Sequence, residues 1–180
     1  MFPIHTDFVA TSSDHPGVSF AAARAWCIFA SQLCAKHPCV IFDLDQTLVD
    51  KGRKMDKAVD FLTWCKENDV RTFIITARTQ DKEQETRKQI KELGIHVDGL
   101  YMMRPASNKK KVTFAHVAQY KFDTRALICV HYSILTCVGD QWSDLASEQQ
   151  LREVRPFLLQ HKNDRGFFFL PGTEHASVRV

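Results

Sequence analysis

The 180-residue chain predicts an α/β fold in which helices cover both faces of a parallel sheet. Three observations carry that reading. Short apolar runs of strand length recur, and amphipathic segments of helix length separate them. Prolines fall only at positions 3, 16, 38, 105, 156 and 171, so residues 39–104 run without a break where regular structure is densest.

In chain order, residues 18–35 predict an N-terminal helix, with Trp26, Phe29 and Leu33 spaced to face a core. Residues 39–42 are apolar and are halted by acids, which predicts a buried strand ending at Asp43. Ala58, Phe61, Leu62 and Cys65 recur at helical spacing, and that helix closes near Asn68. Residues 70–76 form the next strand. Residues 79–93 predict a helix with Thr86, Ile90 and Leu93 on one face and Gly94 at its end, where an αL cap favours glycine. Residues 100–103 predict a third strand, 112–127 a helix and 134–138 a fourth strand, with a helix after Asp144 and a buried last strand at 167–170. We read one domain over 1–180, with an N-terminal helical segment at 1–37 and a core at 38–171.

Composition narrows the function classes. Hydrophobic residues are 44% and charged residues 25%, an ordinary globular balance, and no stretch nears the ~20 apolar residues that span a bilayer. Lys plus Arg is 24 against 21 for Asp plus Glu, and a net charge of +3 does not make nucleic acid the default partner. The six cysteines show no C-x-x-C pair or zinc spacing, and several lie in apolar runs, as buried thiols in a reducing compartment do. Residues 18–35 lack a basic leader and contain Arg24 and Gln32, so no signal peptide is read there and a cytoplasmic location is expected.

Chemistry concentrates at the predicted strand ends. In parallel sheets ligands bind beyond the carboxyl ends of the strands, where Asp43, Thr76 and Asp140 all stand. Asp43 and Asp45 are two residues apart where a strand meets its loop, and Asp140 and Asp144 follow the fourth strand. Carboxylates crowded on one edge repel one another unless a hard divalent cation such as Mg²⁺ sits among them.

The series Asp43-x-Asp45-x-Thr47 after an apolar strand, Thr76 after a strand, a lysine, and the acidic pair Asp140 and Asp144 resembles the haloacid dehalogenase (HAD) superfamily. Tyr120-Lys121-x-x-x-Arg125, the run from Gly139 to Leu145, Thr76-Ala-Arg78 and Glu85-Thr-Arg87 resemble its subfamily IIIB, which includes bacterial lipoprotein acid phosphatases and the plant acid phosphatase and vegetative storage protein group. The resemblance spans about residues 38–171, and Gln46 stands where that subfamily usually has glutamate. It implies a Rossmann-like core and an Mg²⁺-dependent phosphomonoester hydrolase with an aspartyl-phosphate intermediate. Asp43 would be the nucleophile and Asp45 the proton donor and acceptor. Asp43, the Asp45 main-chain carbonyl and Asp140 would hold the cation, with Asp144 acting through a bound water. Thr76 and Lys121 would bind the phosphoryl group. Arg78 and Arg104 are read as candidates either for the phosphate or for surface salt bridges. A carboxylate at Asp45 favours phosphatase over dehalogenase or transport ATPase.

Lys109, Lys110 and Lys111 rival Lys121, and we assign the role to Lys121 on its Tyr-Lys-x-x-x-Arg context. One helix and one strand fill the interval from Thr47 to Thr76, and little remains between Thr76 and Lys121, so no large cap domain is expected. The resemblance makes a small phosphomonoester the leading expectation for the substrate. Two alternatives stay open: a macromolecular substrate, such as a phosphoprotein or a polynucleotide 3′-phosphate, or an inactive storage or binding relative.

Overall fold

A computed structural model of the chain describes residues 16–32, 36–105, 112–144 and 168–171. The first helix, α1 (Pro16–Ser31), leads to strand β1 (His37–Phe42) and the hairpin β2 (Val49–Asp50) and β3 (Arg53–Lys54). Then follow α2 (Asp56–Glu67), β4 (Arg71–Thr79), α3 (Glu83–Glu92), β5 (Gly99–Met103), α4 (Phe114–Cys129), β6 (Tyr132–Gly139) and β7 (Phe168–Pro171). The main sheet runs in the order β5-β4-β1-β6-β7, with β1 at its centre. The pairings β4–β5, β1–β4 and β1–β6 are parallel.

Alternation along the strands divides the core into two layers, because successive strand residues point to opposite faces. Val40, Phe42 and Ile74 meet Ala58, Phe61, Leu62 and Cys65 of α2, Ala23 and Cys27 of α1, and Ile90 of α3. On the other face Cys39, Ile41, Phe73, Ile75, Ile134 and Cys137 meet Ile128 and Cys129 of α4. Helices therefore cover both faces, as expected. The register shift at Cys39/Val40 gives β6 one more residue than β1 there, which lets both Leu135 and Val138 reach the first layer.

A last strand is present as expected, β7, and it pairs antiparallel with β6 at the edge of the sheet. Two expectations need correction. Strand β4 continues past Thr76 to Thr79 and a 3₁₀ turn at Gln80–Lys82 precedes α3, because a register irregularity between Thr76 and Thr79 keeps β4 paired with β5. Phe29 is 57% exposed. The buried stripe of α1 runs through Ala23 and Cys27, four residues apart, and Phe29 falls on the other side of the helix. The Trp26 side chain, Leu33, Lys109–Lys111 and the helix expected after Asp144 lie outside the described residues.

Between β1 and β4 stand only the β2–β3 hairpin and α2, and between β4 and β5 only the 3₁₀ turn and α3. The hairpin turn puts Lys51 at φ 48° and Gly52 at φ 77°, the pair of positive angles that a two-residue hairpin loop requires. No cap-sized element lies between β1 and β5 among the described residues.

Candidate active site

The site forms where the parallel strands end. Asp43 follows β1, and its main-chain N–H donates to the Val138 carbonyl of β6 at 2.8 Å, so the sheet ladder itself fixes the residue. Its carboxylate is only 7% exposed. Lys121 of α4, 3% exposed, donates through Nζ to Asp43 Oδ1 at 2.6 Å and to Asp144 Oδ1. One ammonium thus joins two carboxylates that lie far apart in the chain.

The turn after β6 shapes the rest. Gly139 must lack a side chain, because a Cβ there would overlap the Asp144 carboxylate. The Gln141 main-chain N–H donates to Asp144 Oδ2 at 2.9 Å, and Gln141 Nε2 donates to Asp140 Oδ2 at 2.9 Å. Carboxylate oxygens of Asp43, Asp140 and Asp144 lie within 4.8 Å of one another. Burial and the Asp144 charge push the Asp43 carboxyl up to about 8, against the pull of Lys121. Burial also raises Asp140. For Lys121 burial works against the charged form, yet the Asp144 and Asp43 carboxylates outweigh it and raise its pKa. These directions express one fact: the pocket holds more negative charge than its lysine balances.

Asp45 stands apart from that cluster. Its side chain is 51% exposed and is gripped by Arg78, whose Nε donates to Oδ2 at 2.9 Å and Nη2 to Oδ1 at 2.6 Å. Arg78 Nη1 donates to Thr86 Oγ1 at 3.3 Å and Gln89 Oε1 at 2.7 Å, both on α3. All three guanidinium nitrogens are therefore engaged by protein, the salt-bridge outcome that the sequence left open beside phosphate binding. Thr76 is buried at the same edge, and its Oγ1 accepts the Arg78 main-chain N–H at 3.2 Å, which leaves the hydroxyl proton to donate elsewhere. Arg104 is exposed just past β5.

Sequence reasoning assigned no role to four residues that the structure brings to this edge. Thr86 and Gln89 anchor Arg78, and Gln141 holds both acidic residues of the turn. Arg125, also on α4, donates to the carbonyls of Ser143 and Asp144. The signal for Arg125 was its place four residues after Lys121, on the same helix face.

The arrangement suits attack by a held carboxylate on an anionic group whose charge is neutralised nearby. No curated protein matches the chain. Among solved structures, the class C acid phosphatase from Bacillus anthracis with tungstate bound is similar, with a TM-score of 0.61 at 16% identity over 81% of this chain and 71% of that one. A second structure of the class C acid phosphatase from Bacillus anthracis gives 0.60 at 16% identity over 83% and 74%. At that identity the likeness is one of fold. The family model for the HAD superfamily, subfamily IIIB (acid phosphatase), matches residues 49–174, a stretch that contains Thr76, Lys121, Asp140 and Asp144 and begins just after Asp43 and Asp45. The chain belongs to that family, and it is a HAD-type phosphatase.

Proposed function

We propose that this phosphatase hydrolyses small phosphomonoesters with Mg²⁺ and through an aspartyl phosphate on Asp43. The observation that carries the reading is the Asp43 carboxylate, buried at the end of the central strand, oriented by Lys121 and crowded by Asp140 and Asp144. The donor set fits a hard divalent cation, since all three groups offer oxygen and Lys121 balances only part of their charge. Asp43, Asp140 and the Asp45 main-chain carbonyl would hold Mg²⁺, which supplies the charge that lets a phosphate dianion approach a carboxylate.

The protein's own groups account for the rest. Asp43 attacks phosphorus and the bond to the leaving oxygen breaks, while Asp45 gives that oxygen its proton. Water then attacks the phosphoryl group, Asp45 takes a proton from it, and the bond to Asp43 breaks, which restores both carboxyl groups. Thr76 donates to a phosphoryl oxygen, and Lys121 both orients Asp43 and offsets the charge that develops. Tungstate, bound in the class C neighbour, is a tetrahedral oxyanion of the kind such a pocket accepts.

A second reading, a substrate on a macromolecular end, draws support from the missing cap between β1 and β5, since an open edge admits a bulky group. Assays across aryl phosphate, nucleoside monophosphates, phosphopeptides and 3′-phosphorylated oligonucleotides, run with EDTA and then with added Mg²⁺, test both. We expect hydrolysis of small esters, silenced by EDTA and restored by Mg²⁺. Turnover that ignores EDTA contradicts the cation assignment, and turnover confined to the macromolecular substrates contradicts the small-ester reading.

A further inference from the structure

Arg125 is only 1% exposed, and a guanidinium is costly to bury without a partner charge. Its hydrogen bonds nonetheless go to main chain. Nη1 donates to the Asp144 carbonyl at 2.7 Å and to the Ser143 carbonyl at 3.2 Å, while Nε and Nη2 are buried with no hydrogen-bond partner among the described residues. Among the described residues Nη1 is the guanidinium nitrogen that is engaged.

That nitrogen grips the turn Trp142–Asp144 from behind. Lys121, four residues earlier on α4, takes the Asp144 carboxylate from the front, and Gln141 N–H holds its second oxygen. Asp144 is thus fixed at carbonyl and carboxylate by two cations from one helix face.

We infer that Arg125 is a positioning residue for the cation site, fixing the Trp142–Asp144 turn so that Asp144 meets Asp43 and Asp140 in a geometry that a divalent cation accepts. The inference rests on the cation reading above. Groups that orient ligands from behind typically change metal affinity by about 10- to 100-fold when lost.

The test titrates the full-length protein with Mg²⁺ by calorimetry and with Mn²⁺ by electron paramagnetic resonance, alongside thermal unfolding in EDTA. Arg125→Lys keeps the charge but removes the guanidinium fork, and Arg125→Met keeps the bulk alone. Both variants are expected to fold in EDTA, to bind either cation about 10- to 100-fold more weakly, and to regain most of their kcat on aryl phosphate when Mg²⁺ is raised in proportion. Wild-type affinity in both folded variants overturns the inference, and so does failure of every replacement to fold, which makes Arg125 a core residue only. A wild-type protein that binds neither cation overturns the cation reading itself, an outcome distinct from parity between variant and wild type.

Discussion

Two cation–carboxylate clusters stand at opposite edges of the same sheet, and they differ in almost everything but their chemistry. At the carboxyl edge Lys121 is buried between Asp43 and Asp144. At the amino edge Arg71, at the start of β4, pairs with Asp98 ahead of β5 at 2.8 Å, with side chains 58% and 32% exposed. Asp98 also accepts the Thr72 main-chain N–H at 2.7 Å, so it helps to tie β4 to the loop before β5. A cavity of about 340 Å³ lies beside this pair, lined by Lys66, Arg71, His96 and Asp98, yet none of the candidate catalytic residues borders it. Water screens the outer pair and makes it cheap to form and cheap to lose. The inner cluster is expensive to bury, and its charges do not cancel. We take unbalanced charge among buried groups, rather than the presence of a cavity, as the mark of the candidate site.

Breaking the two clusters in turn gives effects that fall in a definite order. Asp43→Asn is nearly isosteric and cannot form an acyl phosphate, so turnover should fall by about 10⁴-fold or more while the circular dichroism spectrum stays native. Lys121→Met should lower kcat by at least ~10²-fold on any substrate, and in EDTA it should also destabilise the fold, because two buried carboxylates then face each other without a cation between them. Alanine at Lys109, Lys110 and Lys111 together should leave aryl-phosphate hydrolysis nearly unchanged. The reverse pattern would move the phosphate-binding lysine to that run.

Arg78→Lys sharpens the contrast, since lysine cannot reproduce the two-pronged grip on Asp45. Because the wild-type guanidinium is taken up by Asp45, Thr86 and Gln89 rather than by substrate, the variant should lose kcat several-fold at nearly constant KM. A raised KM at constant kcat would return Arg78 to the phosphate. The smallest effect belongs to the outer pair. Asp98→Asn should leave kcat and KM untouched and lower the melting midpoint only slightly. Asp98 lies against partial burial, but its bonds to Thr72 and Arg71 hold its carboxyl below the usual range. Its contribution is therefore present above the ordinary carboxylate pKa of about 4 and is lost as pH falls through the lowered value. The difference between wild type and variant, followed by thermal melts, should shrink below about pH 4. A difference that grows on acidification would contradict that sign.

Much of this could be read before any coordinates. The apolar run before Asp43 and the stripe of Ala58, Phe61, Leu62 and Cys65 are local patterns, and both match the structure closely, β1 ending at Phe42 and α2 burying those four residues. Asp43, Thr76 and Asp140 pointed to one sheet edge because strand ends in a parallel sheet converge there, while Lys121 was legible only through its Tyr-Lys-x-x-x-Arg context. What stayed hidden depends on contacts between distant residues. Nothing local says that Arg78 reaches Asp45, 33 positions away, or that Arg125 turns inward to main-chain carbonyls. The antiparallel run of β7 is a property of the edge it joins, which periodicity in residues 167–170 does not encode. Phe29 looked like core because apolar spacing fits more than one stripe on a helix, and packing selects among them.

The central claim is that Asp43 carries the phosphoryl group in turn. A rapid acid quench of the wild-type enzyme turning over a labelled aryl phosphate, followed by peptide mapping by mass spectrometry, tests it directly. We predict a single acid-stable, hydroxylamine-sensitive phosphoryl adduct on Asp43, formed faster than or as fast as turnover and missing from Asp43→Asn. A phosphoryl group on another residue, or active turnover with no adduct on Asp43 at any quench time, would contradict the account.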